Sequence, residues 1–268
     1  MKLNIHGVDD TMRQRVNEML DSIEREHDVK VLFACESGSR GWGFASPDSD
    51  YDVRFLYVHR PEWYLKVEPQ RDVIERPISD ELDISGWEWR KALGLLKRAN
   101  PTLIEWQDSP IIYREDTLWM NRLRQTLPQF FSPLKARYHY LSMAQRNFKE
   151  HLQGDSIRLK KYFYVLRPLL AVKWIDGGKG IPPMPFGKLL VGSTLPAAAY
   201  SELEALLDTK QQAGESHYGP CCEQLHAFIA RELDDAAQRT DIDPAAYTET
   251  EALDRLLFET VMAQSEPR

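Results

Sequence analysis

Two aspartates, Asp50 and Asp52, stand two residues apart where a run of β-branched and aromatic residues begins, Tyr51 to Val58. Side chains two apart in a strand point to the same face. Two carboxylates side by side repel, and a folded protein tolerates them when a cation compensates. Magnesium suits that task, because it takes oxygen ligands: one or two carboxylates, with phosphate oxygens and water. About a dozen residues upstream, Gly38-Ser39 follows another strand-like run, Val29 to Cys35. Gly38 allows close backbone approach, Ser39 can cap a short helix, and N–H groups at a helix start bind phosphate. Each feature alone is ordinary, since Asp-x-Asp is common in solvated loops and Gly-Ser in turns. Together, on adjacent predicted strands, they supply what metal-assisted nucleotidyl transfer needs: one element for the triphosphate and one for the ions that bridge it.

Gly38-Ser39, then Gly41, then Ser49-Asp50-Tyr51-Asp52 resembles the signature of the DNA polymerase beta nucleotidyltransferase superfamily. That signature is a strand, a Gly-Ser helix start and an Asp-x-Asp on the next strand. Arg40-Gly41-Trp42 and Ser49-Asp50-Tyr51-Asp52-Val53-Arg54 are similar to one bacterial and phage group of predicted nucleotidyltransferases, described as RNA-repair-pathway and polymerase-beta-like. The superfamily signature covers about residues 29–90; the similarity to the group extends to Asn100-Pro101 and Leu166-Arg167-Pro168-Leu169-Leu170.

The resemblance implies a third carboxylate on a later strand. Asp83, with apolar neighbours in Glu81-Leu82-Asp83-Ile84-Ser85, is preferred over Glu75, while Asp80 and Glu81 read as turn residues. It also implies two magnesium ions, with manganese as an alternative, held by Asp50, Asp52 and Asp83. Asp83 would serve the ion nearer the acceptor hydroxyl. Gly38 and Ser39 would hold the terminal phosphates of a nucleoside triphosphate, and Arg40 and Arg54 would help neutralise them. Arg54 shares the face of Asp52 by strand alternation, so a salt bridge that holds the carboxylates in place is an equal reading.

These residues need a scaffold. Residues 9–26 read as an amphipathic helix on Met12, Val16, Met19, Leu20 and Ile23. Asp72 to Pro77 and Glu81 to Ser85 are weaker strands, and Trp87 to Ala99 is a helix stopped by Asn100-Pro101. From about Asp116 the periodicity is helical only, over 116–126, 134–152, 157–175, 199–208, 219–234 and 248–263. The expected fold is α+β: a nucleotidyltransferase domain over 1–130, with a small mixed sheet and flanking helices, then an all-α domain over 131–268. The boundary falls at Leu127-Pro128 or Ser132-Pro133.

Within 157–175, Leu159, Phe163, Leu166 and Leu170 form an apolar stripe, and Lys160, Tyr164, Arg167 and Trp174 a second, basic and aromatic one. Pro168 should kink this helix. Helical domains of the resembling superfamily often close over the nucleotide, which makes Lys160, Lys161 and Tyr164 candidate nucleotide contacts. A half-buried core helix with snorkelling lysines is the competing reading.

Bulk properties limit the function classes. Of 268 residues, 43% are hydrophobic and 28% charged, as in soluble globular chains. No apolar run approaches the roughly 20 residues of a membrane helix, and Met1-Lys2-Leu3-Asn4 carries no signal pattern, so the expected location is cytoplasmic, without membrane. Cys35, Cys221 and Cys222 form neither a disulfide framework nor a zinc pattern. The net charge of −7 is uneven: −5 over residues 1–132, +8 over 133–190 and −10 over 191–268. The basic middle segment suggests an anion-binding surface, although a charge cluster by itself more often marks a solvated helix face. The basic segment and the resemblance together make RNA the expected acceptor, ahead of a protein or small molecule. The intact Asp50/Asp52 pair argues against a catalytically silent nucleotide-binding regulator, and only the α-rich half favours a helical interaction module.

Overall fold

In the computed structural model, which describes residues 7–77, 81–154, 156–212, 218–239 and 249–265, Asp9 caps helix α1 (Asp10–His27) by accepting from Met12 N at 2.8 Å. Met12, Val16, Leu20 and Ile23 recur every three or four residues and are buried against the sheet. The chain turns at Asp28, whose φ of 47° ends the helix, into β1 (Val29–Glu36). There follow α2 (Gly38–Trp42), β2 (Tyr51–His59), α3 (Pro61–Tyr64), β3 (Val73–Glu75), β4 (Leu82–Glu88), α4 (Trp89–Lys97), α5 (Pro101–Trp106), β5 (Ile112–Glu115) and α6 (Thr117–Phe130).

The five strands form one sheet in the order β3-β4-β2-β1-β5. β1 is antiparallel to β2 and β5, β3 is antiparallel to β4, and β2 and β4 run parallel. The β2–β4 register pairs Asp52 with Asp83 and Arg54 with Ser85. Asn100-Pro101 does more than stop α4. Asn100 Oδ1 accepts from Thr102 N at 2.9 Å, so these residues also open α5, with proline at the position where its missing N–H costs least.

The helical part contains α7 (Pro133–His151), β6 (Ser156–Arg158), α8 (Lys160–Asp176), α9 (Phe186–Val191), α10 (Ala197–Gln212), β7 (Tyr218–Pro220) and α11 (Glu223–Gln238). It is not purely helical. β6 and β7 pair as a short antiparallel ribbon, and residues 157–159, read from periodicity as the start of a helix, precede α8. α8 has Pro168 inside it and is buried on nearly every side. Its second stripe is partly core: Arg167 is 2% exposed, donates to Met184 O at 3.2 Å and lies over the Trp42 ring. α12 (Glu251–Met262) packs on β2, α4 and α6 and buries Leu253, Leu256, Thr260 and Val261.

Two units result, and they interleave along the chain. The sheet unit takes residues 7–41 and 50–131 and the C-terminal part with α12; the helical unit takes 42–49 and 132–245. Asp80, Met1–Asn4 and the first residue of the helix expected over 248–263 lie outside the described residues. Among those described, no helix is long and apolar enough to cross a membrane.

Candidate active site

Gly38 opens α2, with Ser37 between it and the end of β1, at φ +57°. That left-handed conformation favours glycine. A second constraint is steric: a Cβ at this position would lie 1.9 Å from Asp52 Oδ2 and 2.8 Å from Asp52 Cγ. The backbone of the Gly-Ser turn therefore rests directly against the Asp52 carboxylate. Ser39 and Gly41 behind it are buried, and Ser37 N donates to Asp52 O at 2.8 Å.

Asp52 and Asp83 are direct partners in the parallel β2–β4 pairing, which puts their side chains on one face. Two charges at strand spacing, roughly 5 Å, repel by roughly 3 kcal/mol at an effective dielectric near 20. Arg54 offsets this. Its Nη2 donates to Asp52 Oδ1 at 3.2 Å and to Asp83 Oδ2 at 2.8 Å, while Nη1 donates to Val53 O at 3.0 Å and Asp83 O at 3.2 Å. The two backbone carbonyls hold the guanidinium in place, and each carboxylate gives it one oxygen. The site is open to solvent, with Asp52 and Asp83 side chains 30% and 33% exposed.

Glu75 lies elsewhere. It sits on β3, exposed, paired with Arg71 at 2.8 Å, and its register partner is Ser85. Asp50 precedes the first residue of β2 and is exposed, so strand alternation relates Asp52 to Arg54 but does not extend to Asp50. Arg40 is 4% exposed, with its guanidinium over the Tyr51 ring at 3.9 Å. Lys160, Lys161 and Tyr164 belong to the helical unit. There Lys160 opens α8, Lys161 Nζ is 3.1 Å from His151 Nε2, and Tyr164 meets the Trp42 ring edge-on at 5.6 Å. In the same unit Phe44 stacks on Phe163, which places Trp42-Gly43-Phe44 in an aromatic core rather than in a solvent loop.

One acidic residue beside the turn escaped the sequence reading. Glu36 ends β1, is fully buried, and accepts from Asp52 N at 2.8 Å and from the Tyr113 hydroxyl. Burial pushes its carboxyl up to about 7, against the Tyr113 and Asp52 hydrogen bonds that favour the charged form. The available signal was a carboxylate closing the apolar run Val31 to Cys35, next to the Gly-Ser turn.

The donor set fits a hard cation. Asp52 and Asp83 are oxygen donors on one face at a solvent-open edge, and the glycine cradle leaves the approach to Asp52 Oδ2 clear of any Cβ. Among the described residues no group of three or more acidic, imidazole or thiol side chains is placed to hold a metal ion, so the protein offers a pair and not a trio. A carboxylate pair completed by phosphate oxygens is the usual magnesium arrangement.

Residues 12–259 match a family described as the RNA repair pathway DNA polymerase beta family. A Bacillus subtilis (strain 168) protein, described as uncharacterized protein YcgL, is 45% identical over 251 residues, covering 93% of this chain and 96% of that one. A crystal structure of a nucleotidyltransferase-like protein from Exiguobacterium sibiricum 255-15 aligns at 15% identity and a TM-score of 0.33, covering 96% of this chain and 82% of that one.

Proposed function

The chain belongs to the RNA repair pathway DNA polymerase beta family, and from that premise we propose that it transfers a nucleotide from a nucleoside triphosphate to a hydroxyl on RNA, with magnesium. The observation that carries this reading is the contact of Gly38 with the Asp52 carboxylate, beside Asp83 in register. A phosphate-approaching turn and a carboxylate pair meet at one place.

Asp52 and Asp83, with Asp50, would hold the ions; manganese is the alternative metal. Such ions stabilise the attacking and leaving oxygens of an in-line displacement. The backbone at Gly38 and Ser39 would receive the terminal phosphates. Arg54, fixed on two carbonyls, keeps both carboxylates in the orientation the ions need. Asp83 would orient the acceptor hydroxyl and take its proton as the acceptor oxygen bonds to the α-phosphorus and the bond to the leaving pyrophosphate breaks. Arg40 serves through its long-range charge from a buried position. The family's own description supports RNA as acceptor, as does the basic segment 133–190. The work of such an enzyme is cytoplasmic.

Incubation with α-labelled triphosphates, magnesium and total RNA tests this. Label on RNA, lost in Asp52→Ala, is the expected result. Label only on protein or on a small molecule would replace RNA with that acceptor. Full activity in Asp52→Ala, or no transfer to any acceptor, would overturn the reading.

A further inference from the structure

We infer that Glu36 is the positioning residue of Asp52, holding its backbone where the Gly-Ser turn removes the ordinary strand partner. The inference rests on the transfer reading and adds a residue to that site.

β1 pairs with β2 as far as Glu36 opposite Val53, so the next facing pair is Ser37 and Asp52. Ser37 N donates to Asp52 O at 2.8 Å, which makes this a hydrogen-bonded pair. Such a pair exchanges two bonds, and the return bond would run from Asp52 N to Ser37 O. Here the Ser37 carbonyl has left the ladder and accepts from Gly41 N at 3.1 Å, closing the first turn of α2. Turning the chain into α2 is what brings Gly38 against the Asp52 carboxylate, and it leaves the Asp52 N–H without its ladder acceptor. A buried N–H needs one. Glu36 Oε1 takes that place at 2.8 Å.

The carboxylate is itself held from the other side. Glu36 Oε2 accepts from the Tyr113 hydroxyl on β5, Glu36 N donates to Ile111 O at 2.9 Å, and Ser109 Oγ donates to Glu36 O at 2.6 Å. The Asp52 backbone is thereby tied through Glu36 to β5, across the width of β1. A carboxylate with no exposed surface is expensive to keep. An apolar side chain would fill the space and leave the Asp52 N–H unsatisfied, with Asp52 free to shift against Gly38, Arg54 and Asp83.

The test is a set of full-length variants: Glu36→Gln, Glu36→Leu and Tyr113→Phe. The glutamine carbonyl can still accept from Asp52 N, so Glu36→Gln should keep kcat and Mn2+ affinity within about threefold, whereas Glu36→Leu should lower kcat on the order of 10²-fold with little change in triphosphate KM. Amide hydrogen exchange at Asp52 should accelerate in Glu36→Leu and stay slow in Glu36→Gln. Tyr113→Phe should fall between them. Mn2+ binding, followed by electron paramagnetic resonance without substrate, should weaken in Glu36→Leu.

A glutamine variant as damaged as the leucine one would overturn the inference, since the charge and not the acceptor position would then matter. An active leucine variant with slow Asp52 exchange would overturn it as well. If Glu36→Leu does not fold, Glu36→Gln and Tyr113→Phe decide. Should the wild type label no acceptor, the exchange measurement still judges Glu36, and the transfer reading fails separately.

Discussion

Gly38→Ala is the substitution with the most to say about this site, because two separable costs meet in one methyl group. The first is conformational: a non-glycine residue in the left-handed region costs about 1–2 kcal/mol, and Gly38 sits at φ +57°. The second is the collision. A Cβ would lie 1.9 Å from Asp52 Oδ2, so the carboxylate must move on the order of 1 Å to reach an ordinary contact. It cannot do so freely, because Asp52 Oδ1 is bonded to Arg54 Nη2. Losing that half-exposed pair adds about 1 kcal/mol.

Gly178→Ala is the control. Gly178 has φ +68° with nothing within 4 Å of an added Cβ, so it carries the first cost alone. Urea denaturation should place Gly38→Ala about 2–3 kcal/mol below wild type and Gly178→Ala about 1–2 kcal/mol below. In an Asp52→Ala background most of the extra cost at Gly38 should disappear, leaving only the contact with the residue-52 Cβ at 3.2 Å. Turnover per folded molecule, read as labelled product, should drop on the order of 10²-fold in Gly38→Ala, as a misplacement near 1 Å predicts, and stay at the wild-type level in Gly178→Ala. Equal destabilisation of the two variants, together with wild-type turnover in Gly38→Ala, would refute the claim that the turn and Asp52 form one unit.

Arg54→Met keeps the stem but leaves Asp52 and Asp83 facing each other. It should melt earlier than wild type, by about 1–3 kcal/mol of stability, and recover more than wild type when magnesium is added; thermal scans with and without the ion decide. Asp83→Asn should reduce transfer by more than about 10²-fold while Glu75→Gln stays within about twofold, and a strong effect of Glu75→Gln would reverse the choice of third carboxylate. Two opposite contributions to the pH dependence of stability should largely cancel in the wild type, each emerging when the other is removed by substitution. Glu36, raised from 4.5 to about 7 by burial, keeps a proton in the folded chain that the unfolded chain releases. The Glu36 contribution to stability is therefore greatest below about 4.5 and is lost as pH rises to about 7, by up to roughly 3 kcal/mol, and Glu36→Gln removes it in urea titrations. His59, lowered from 6.5 to about 4 chiefly by burial and then by Lys66, works the other way. The unfolded chain takes up its proton first, so the stability present above 6.5 is lost as pH falls through about 4, and His59→Asn removes that contribution.

Much of the scaffold was readable because its signals are local. The three-and-four spacing of Met12, Val16, Leu20 and Ile23, the apolar run of β1 and the glycine after it depend on neighbours along the chain. So does the shared face of Asp52 and Arg54, which follows from strand alternation alone. The ribbon of β6 and β7 was missed for the converse reason: three residues on each side are too few to show a period, and each is a strand only because the other pairs with it. β5 and α5 were likewise left unassigned, since Ile112–Glu115 forms its ladder against β1, some 80 residues away in sequence.

The chain itself determined that a Gly-Ser turn and an acidic strand start would lie a dozen residues apart. Only the tertiary structure decided which distant carboxylate joins Asp52, that Arg54 bridges the pair, and that Glu36 replaces a ladder bond. Choosing Asp83 over Glu75 depends on the parallel register of β2 and β4, whose members are 31 residues apart at Asp52 and Asp83. Register is set by packing of the whole sheet, and a shift of one residue would send every one of these side chains to the other face.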